Sequence, residues 1–500
     1  MRKIPATMAT QHPDNASAPY WEKDGDAFVS TREESQELYS CFKDLDCQEF
    51  MWDWEGKYVD EAVVDRLFHK YYDYFNKNQL GKDKFLTFRI PNIWHEKGYG
   101  LARAMMGILT ADNFAKDLKF HTPPIFEVIL PMTEKADDII HIQKTFKKLS
   151  DFTSKLFSEK IHFNELNVLP LLEGVDNFIN CKSFLRSYLQ MYKKEFKRKP
   201  EYLRIHIARS DPAMNSGVVS AVVGGKVAIS ESYRFGEENK IKIFPAVGVG
   251  TLPFRGSLSP NRVGDFLKEY SGIRTVYIQS AFRYDHDTKA VKRAIAKLNR
   301  ELPKTKVKIY SKKELAEAKK ICEIFSPFYR QTVESIATTV HNLSKHVPSR
   351  RERKLHVGLF GYSRSIGKKK LPRAIPFTAV LYSLGIPPEF VGTGRGLKKA
   401  AEGGIDVEKY YVNLKKDLVL AGRCLNKENL EKLVKNKNGW SQIKKDIDFI
   451  EEILGITLGP KTDEDFMYRN HTSNFYFLWK NKASLSDEII ASGKIRKSLG

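Results

Sequence analysis

The sequence predicts an α/β fold, a parallel barrel of the (β/α)8 TIM type with many additional helices, and three observations predict it. Compact apolar runs alternate with amphipathic stretches of a dozen residues or more, the rhythm of βαβ units with parallel pairing. Polar residues stand directly after several of those runs, where the carboxyl ends of barrel strands carry chemistry. A length of 500 residues, 42% hydrophobic against 29% charged, suffices for one large barrel with insertions, although it could also hold several ordinary domains.

In chain order, strand-like runs fall at 85–90, 126–130, 167–172, 203–208, 240–244, 274–279 and 356–360. Helical patterns occupy 60–76, 136–159, 178–196, 262–270, 289–300 and 312–345, the last with a break or kink expected near Pro327. Residues 213–236 admit two readings. Gly224-Gly225 could turn a hairpin, but residues 216–234 suit a helix weakened by two glycines, and the helix is preferred. From about Leu397 onward the chain is mostly helical and lysine-rich, with no Pro/Gly/Ser linker before it. It is expected to pack on the barrel as a helical layer within one domain of residues 1–500.

The formal charge of +22, from 83 Lys and Arg against 61 Asp and Glu, invites a nucleic-acid partner. The lysines are scattered in short clusters such as 368–370 and 432–437, which suits solvated faces better than a binding arm. A basic field also steers small anions. The five cysteines (Cys41, Cys47, Cys181, Cys322, Cys424) form no C-x-x-C pair, which points to a reducing cytosol without disulfides or structural zinc. The amino terminus lacks an apolar signal core, and no run approaches the roughly eighteen uncharged residues of a membrane helix. A cytoplasmic protein with neither a membrane nor a nucleic-acid partner is expected.

Two arginines sit in loop segments punctuated by Gly and Pro: Arg364 in Gly361-Tyr362-Ser363-Arg364 and Arg373 in Leu371-Pro372-Arg373-Ala374-Ile375-Pro376. A rigid five-donor fork in such a place suits a phosphate or carboxylate. Glu173 and Asp211 each follow an apolar run. Two carboxylates from neighbouring strands would make an oxygen-only site for Mg2+ or Mn2+ completed by water and substrate, or could simply be first-turn helix acids. His12 precedes Pro13 on a stiff backbone, which suits an acid/base group, though a lone His near a terminus can be incidental. No H-E-x-x-H spacing supports a zinc hydrolase, and no P-loop occurs. Gly248-x-Gly250 lacks the third glycine of a dinucleotide site. Gly392–Gly396 could cradle an anion or be a plain loop, and Trp52 and Trp54 read as core.

Taken in order, these segments resemble the phosphoenolpyruvate carboxylase family, specifically its short-subunit, archaeal-type branch. Thr10-Gln11-His12-Pro13 is similar to the T-x-H-P segment with its catalytic histidine. Leu86-Thr87-Phe88-Arg89 resembles the strand-end arginine that reaches substrate phosphate. Residues 168–173 match the P-L-x-E segment bearing one metal ligand, Glu173, and Arg209-Ser210-Asp211 matches the Y-S-D segment bearing the other, Asp211. Phe254-Arg255-Gly256 stands where the family has an essential arginine, and Ile278-Gln279-Ser280 where it has a strand-end glutamine. Arg364 and Arg373 match the paired arginines of the G-S-R and R-A-I-P segments. The family's F-H-G-R-G-G run departs here: Val247 and Val249 hold the His and Arg places, so either phosphate binding uses fewer arginines or another residue, such as Arg283 or Arg103, substitutes. The carboxyl terminus only loosely resembles the R-N-T-G ending of the large enzymes.

The resemblance implies carboxylation of phosphoenolpyruvate by bicarbonate to oxaloacetate and phosphate, an anaplerotic reaction feeding the tricarboxylic acid cycle. It implies Mg2+, with Mn2+ able to substitute, on Glu173 and Asp211. His12, Arg255 and Arg364 would be catalytic, Arg89, Arg373, Gln279 and Arg283 would bind substrate, and the assembly would be a homotetramer. Val247 and Val249 would keep water from the reacting carbon. The alternatives are another metal-dependent barrel lyase or phosphotransferase acting on an enol-phosphate, and a basic nucleic-acid-binding protein.

Overall fold

The computed structural model describes residues 3–22, 28–55, 58–95, 99–157, 165–348, 352–353, 365–366, 369–435 and 438–500. Arg364, the rest of its Gly361–Arg364 segment and the strand expected at 356–360 lie outside the described residues.

Eight parallel strands close into a barrel: β1 (Thr7–Thr10), β2 (Glu49–Asp53), β3 (Phe85–Arg89), β4 (Glu127–Leu130), β5 (Asn167–Leu172), β6 (Tyr202–Ala208), β7 (Lys242–Gly248) and β8 (Thr275–Ile278). The first strand closes the ring, with Ala9 in register with Phe50 on one side and Ile278 on the other. Six of these strands follow from the apolar runs, and β1 and β2 do not. Only four residues form β1, and Glu49 and Asp53 give β2 an acidic residue at each end. The run expected at 240–244 is displaced. Lys240 takes a left-handed conformation capping the preceding helix, and the strand runs on through Pro245 to Gly248. Pro245 lacks an N–H, but its carbonyl still accepts from Arg274 N at 2.7 Å, so the proline does not end the strand.

The barrel interior explains the acid in β2. Glu49, Glu127, Arg204 and Thr275 come from alternate strands, the pattern of one barrel layer. Arg204 donates to Glu49 Oε2 at 2.7 Å, to Glu127 Oε2 at 2.6 Å and to Thr275 Oγ1 at 3.1 Å, and Thr87 donates to Glu49 Oε1 at 2.5 Å. Above this charged layer, Met8, Met51, Ile129, Leu169, Leu171 and Tyr277 form an apolar plug. It separates the lower end of the barrel from the rim where the strands end.

Outside the barrel, helices cover each strand, among them Gly100–Asp117 and Ala136–Phe157. The pattern expected at 60–76 divides into Val63–Lys70 and Tyr72–Lys77, and that at 178–196 into Val175–Ile179 and Cys181–Phe196. Residues 213–236 are helical: Ser210–Ser216 and Val218–Asn239 meet at Gly217, whose φ of +84° turns the chain between them. Lys312–Ser344 is one helix with Pro327 inside it, started by a reciprocal Ser311–Glu314 cap. It shares a second apolar core with the helices from Thr393 to Ile495. Trp52 and Trp54 are core residues, and all five cysteines are free thiols. Among the described residues, no single helix is long and apolar enough to cross a membrane.

Candidate active site

The strand ends bring most of the expected residues to one rim. His12 lies two residues past β1, Arg89 ends β3, Glu173 follows β5, Asp211 lies three residues past β6, and Gln279 follows β8. The loop after β7 carries Arg255.

The His12 segment is docked on the short helix Ser280–Tyr284. Asp14 N donates to Ser280 Oγ at 2.9 Å, Ala281 N donates to Asp14 Oδ1 at 2.8 Å, and the Ser280 hydroxyl contacts His12 O. The imidazole Nδ1 is 2.9 Å from Thr10 Oγ1. Burial first, then the positive charge of Arg89, pushes the His12 pKa down to about 3, with Arg255 and Arg373 adding and Asp53 opposing. A ring in that field is neutral at physiological pH, and it becomes an effective base once an anionic substrate offsets the surrounding cations.

Arg89 is held edge-on. Its Nε donates to Asp53 Oδ1 at 2.9 Å, its Nη2 contacts Asp53 Oδ2, and Glu55 Oε2 stands 2.7 Å from the same Nη2. Burial disfavours the charge, but Asp53 and Glu55 outweigh it and hold the guanidinium firmly protonated. Asp53 N is in turn 3.1 Å from Gln11 Oε1, which ties the end of β2 to the residue before His12. Neither Asp53 nor Glu55 stands out in the sequence, since their role exists only once β2 and β3 are paired through Asp53↔Arg89.

Arg255 and Arg283 were expected to face substrate, and their donors go to the protein instead. Arg255 Nε donates to Ser210 Oγ at 3.0 Å, Nη1 to Asp14 Oδ2 at 3.0 Å and to Gly500 O, and Nη2 to Gln279 Oε1 at 2.7 Å. It thereby links the His12, Asp211 and Gln279 loops. Two glycines make this possible: a Cβ at Gly250 would meet the Arg255 side chain at 3.1 Å, and Gly256, at φ +123°, would press one to 2.5 Å from Val249. Arg283 is fully buried behind β1, donating to Thr10 O at 2.6 Å and Glu37 Oε1 at 3.0 Å, with Cys41 Sγ 2.8 Å away. Arg103, the other candidate substitute, is exposed on the Gly100–Asp117 helix beside Glu61. Val247 packs in the apolar layer between barrel and helices, in register with Val276, while buried Val249 stands one residue past β7 beside Gly256, in the loop that carries Arg255.

Arg373 enters from outside the barrel, as the exposed N-cap residue of the helix Ala374–Ser383, near enough to lower the His12 pKa. Glu173 Oε2 accepts from Met132 N at 2.9 Å, and its charge reaches Arg89. Glu173 and Asp211 follow strands paired through Leu172↔Ile207, so two carboxylates rise from adjacent strands. Among the described residues, no three His, Cys, Asp or Glu side chains gather into a ready cation cage. An oxygen-only pair of this kind fits a hard divalent cation whose remaining positions go to water and substrate.

A family model described as phosphoenolpyruvate carboxylase matches residues 4–500. Three of the relatives that carry that name illustrate the match. One from Leuconostoc mesenteroides is 41% identical over 469 residues, covering 93% of this chain and 92% of the relative. One from Metallosphaera sedula is 41% identical over 483 residues, with the same coverage. One from Pyrococcus horikoshii is 38% identical over 435 residues, covering 84% of this chain and 88% of its own. With its barrel, its rim of carboxylates and arginines and this match across nearly every residue, the chain belongs to the phosphoenolpyruvate carboxylase family, in its archaeal-type, short-subunit branch.

Proposed function

We propose that the protein joins phosphoenolpyruvate and bicarbonate to give oxaloacetate and inorganic phosphate. The observation that carries the reading is the gathering of His12, Arg89, Glu173, Asp211 and the Arg255 loop at one barrel rim, in a chain matched to the family over residues 4–500. Arg89, Arg255 and Arg373 around an uncharged His12 suit a phosphoryl group that moves and a proton that must be taken up. Arg89, Arg364 and Arg373 neutralise the phosphoryl oxygens as the group passes to bicarbonate, forming carboxyphosphate and the enolate of pyruvate. His12 takes the carboxyphosphate proton as that intermediate splits to CO2 and phosphate, and the enolate carbon then attacks CO2. Arg255 and Gln279 keep the His12 loop in position. Glu173 and Asp211 would hold a divalent metal, Mg2+ with Mn2+ as a substitute, which would supply Lewis-acid charge to the substrate oxygens.

The test is oxaloacetate production in an assay coupled to malate dehydrogenase, adding and withholding bicarbonate and Mg2+. Strict dependence on both, with no nucleotide, is expected. Turnover that needs a nucleotide or a second phosphoryl acceptor would favour a different enol-phosphate lyase or phosphotransferase.

A further inference from the structure

Arg209 is a buried cation with no carboxylate hydrogen-bonded to it. It directly follows β6, is fully buried, and donates from Nε to the Tyr270 hydroxyl at 2.5 Å. Neither Nη1 nor Nη2 has a hydrogen-bond partner among the described residues. Arg209 belongs to the wall of a small void shared with Ser257, Glu269, Tyr270, Tyr411 and Asp417, with room for about one water-sized particle.

The two carboxylates in that wall are already engaged. Glu269 accepts from Lys226 Nζ and from Asn413 N, each at 2.7 Å. Asp417 accepts from Arg262 Nη1 and Ser257 Oγ at 2.7 Å and from the Tyr411 hydroxyl at 2.6 Å. Lys226 pairs with Glu269, Arg262 with Asp417 and Lys416 with Asp265, which leaves the charge of Arg209 over. The Tyr270 hydroxyl accepts from Arg209 and so keeps its own proton to donate. Burial raises its pKa, which keeps that proton in place. Three donors and one surplus charge converge on a space too small for an organic ligand.

We propose that this void, widened slightly as its lining side chains part, binds one small inorganic monoanion no larger than a halide, held by Arg209 Nη1 and Nη2 and by the Tyr270 hydroxyl. A water molecule would satisfy the donors but leave the charge, and a buried unpaired cation is the costlier state. The site lies beside the reaction centre without belonging to it. Arg209 is followed by Ser210, which accepts from Arg255, and by Asp211, so a bound anion would fix the turn that carries both. Nothing in this assignment depends on the carboxylation reading.

Crystals soaked in sodium bromide should show an anomalous peak within hydrogen-bonding distance of both terminal nitrogens of Arg209. A water refined there instead, or empty density, overturns the proposal. In solution, chloride should raise the Tm saturably within roughly 100 mM, relative to gluconate at equal ionic strength. Arg209→Met should lose that response, and equal responses in the variant and the parent also overturn the site. Should Arg209→Met fail to fold, Tyr270→Phe removes one donor while keeping the ring, and should weaken the chloride response in the same assay.

Discussion

A neutral histidine among arginines is a base whose proton must come from the substrate. The product of His12→Asn therefore discriminates. Asn can hold neither a proton nor the carboxyphosphate geometry, so bicarbonate-dependent phosphate release should persist while pyruvate replaces oxaloacetate. Parallel assays coupled to lactate and malate dehydrogenase separate the two products, and an unchanged oxaloacetate rate would remove the role of His12. Asp53 offers a second residue-scale test. It orients Arg89 through two contacts and Gln11 through its backbone, so Asp53→Asn places an amide donor against an arginine donor. Losing one charge-assisted bond costs about 1.5–3 kcal/mol, on the order of ten- to a hundredfold in kcat/KM. The loss should appear as a higher KM for phosphoenolpyruvate together with a lowered Tm, partly offset by the Glu55 contact that Arg89 keeps. Arg89, Glu173, Asp211 and Gln279 were legible in the sequence because each stands where an apolar run stops. Asp53 was not, because β2 shows no apolar edge. Arg255 and Arg283 were legible as arginines but not as buried ones, since sequence position does not say which way a long side chain turns.

At the scale of elements, a neighbour can override a residue's usual local meaning, and the helix preferred over a hairpin at 213–236 is a case that the structure bears out. Gly224 resembled half of a hairpin turn. In the structure it lies within the Val218–Asn239 helix, where a Cβ would come within 3.3 Å of both Val175 and Phe178, so its lack of a side chain lets two helices approach. The same principle governs Glu389, in the turn Pro388–Phe390. Its Oε1 accepts from Phe254 N at 2.7 Å and from the Tyr382 hydroxyl at 2.6 Å, clamping the turn that presents Arg255. Burial pushes its pKa from 4.5 up to about 7. Between those values the folded protein holds a proton that the unfolded chain has released. The contribution to stability is therefore complete below pH 4.5 and is lost as pH rises through 7, with a slope of at most about 1.4 kcal/mol per pH unit. Glu389→Gln keeps the acceptor and removes the charge. Urea denaturation at pH 5, 6, 7 and 8 should show the parent losing stability relative to the variant as pH rises, whereas parallel curves would mean that Glu389 titrates as an ordinary carboxyl.

At the scale of the whole molecule, the closed barrel sets the rim, and its interior holds the barrel in register. Alternation of apolar runs and helices made a parallel barrel legible from six strands, but nothing in the sequence marks which polar residues close it. Glu49, Glu127 and Arg204 are nearly free of solvent and lie far apart in the chain, so their meeting depends on closure itself. A buried ion triad of this kind is weak evidence for stability, because desolvation opposes the attraction, yet removing only its cation leaves two carboxylates stranded. Arg204→Met should therefore destabilise the protein by roughly 3–5 kcal/mol in urea denaturation, with the pyruvate-side chemistry at the opposite end of the barrel affected only through folding. Replacing Glu49 and Glu127 by Gln in the same chain should restore a good part of that loss, since the stranded charges go with them. If Arg204→Met alone unfolds no more readily than the parent, the interior charges play no part in holding the strands in register, and the apolar plug of Met8, Met51, Ile129, Leu169, Leu171 and Tyr277 must do so unaided.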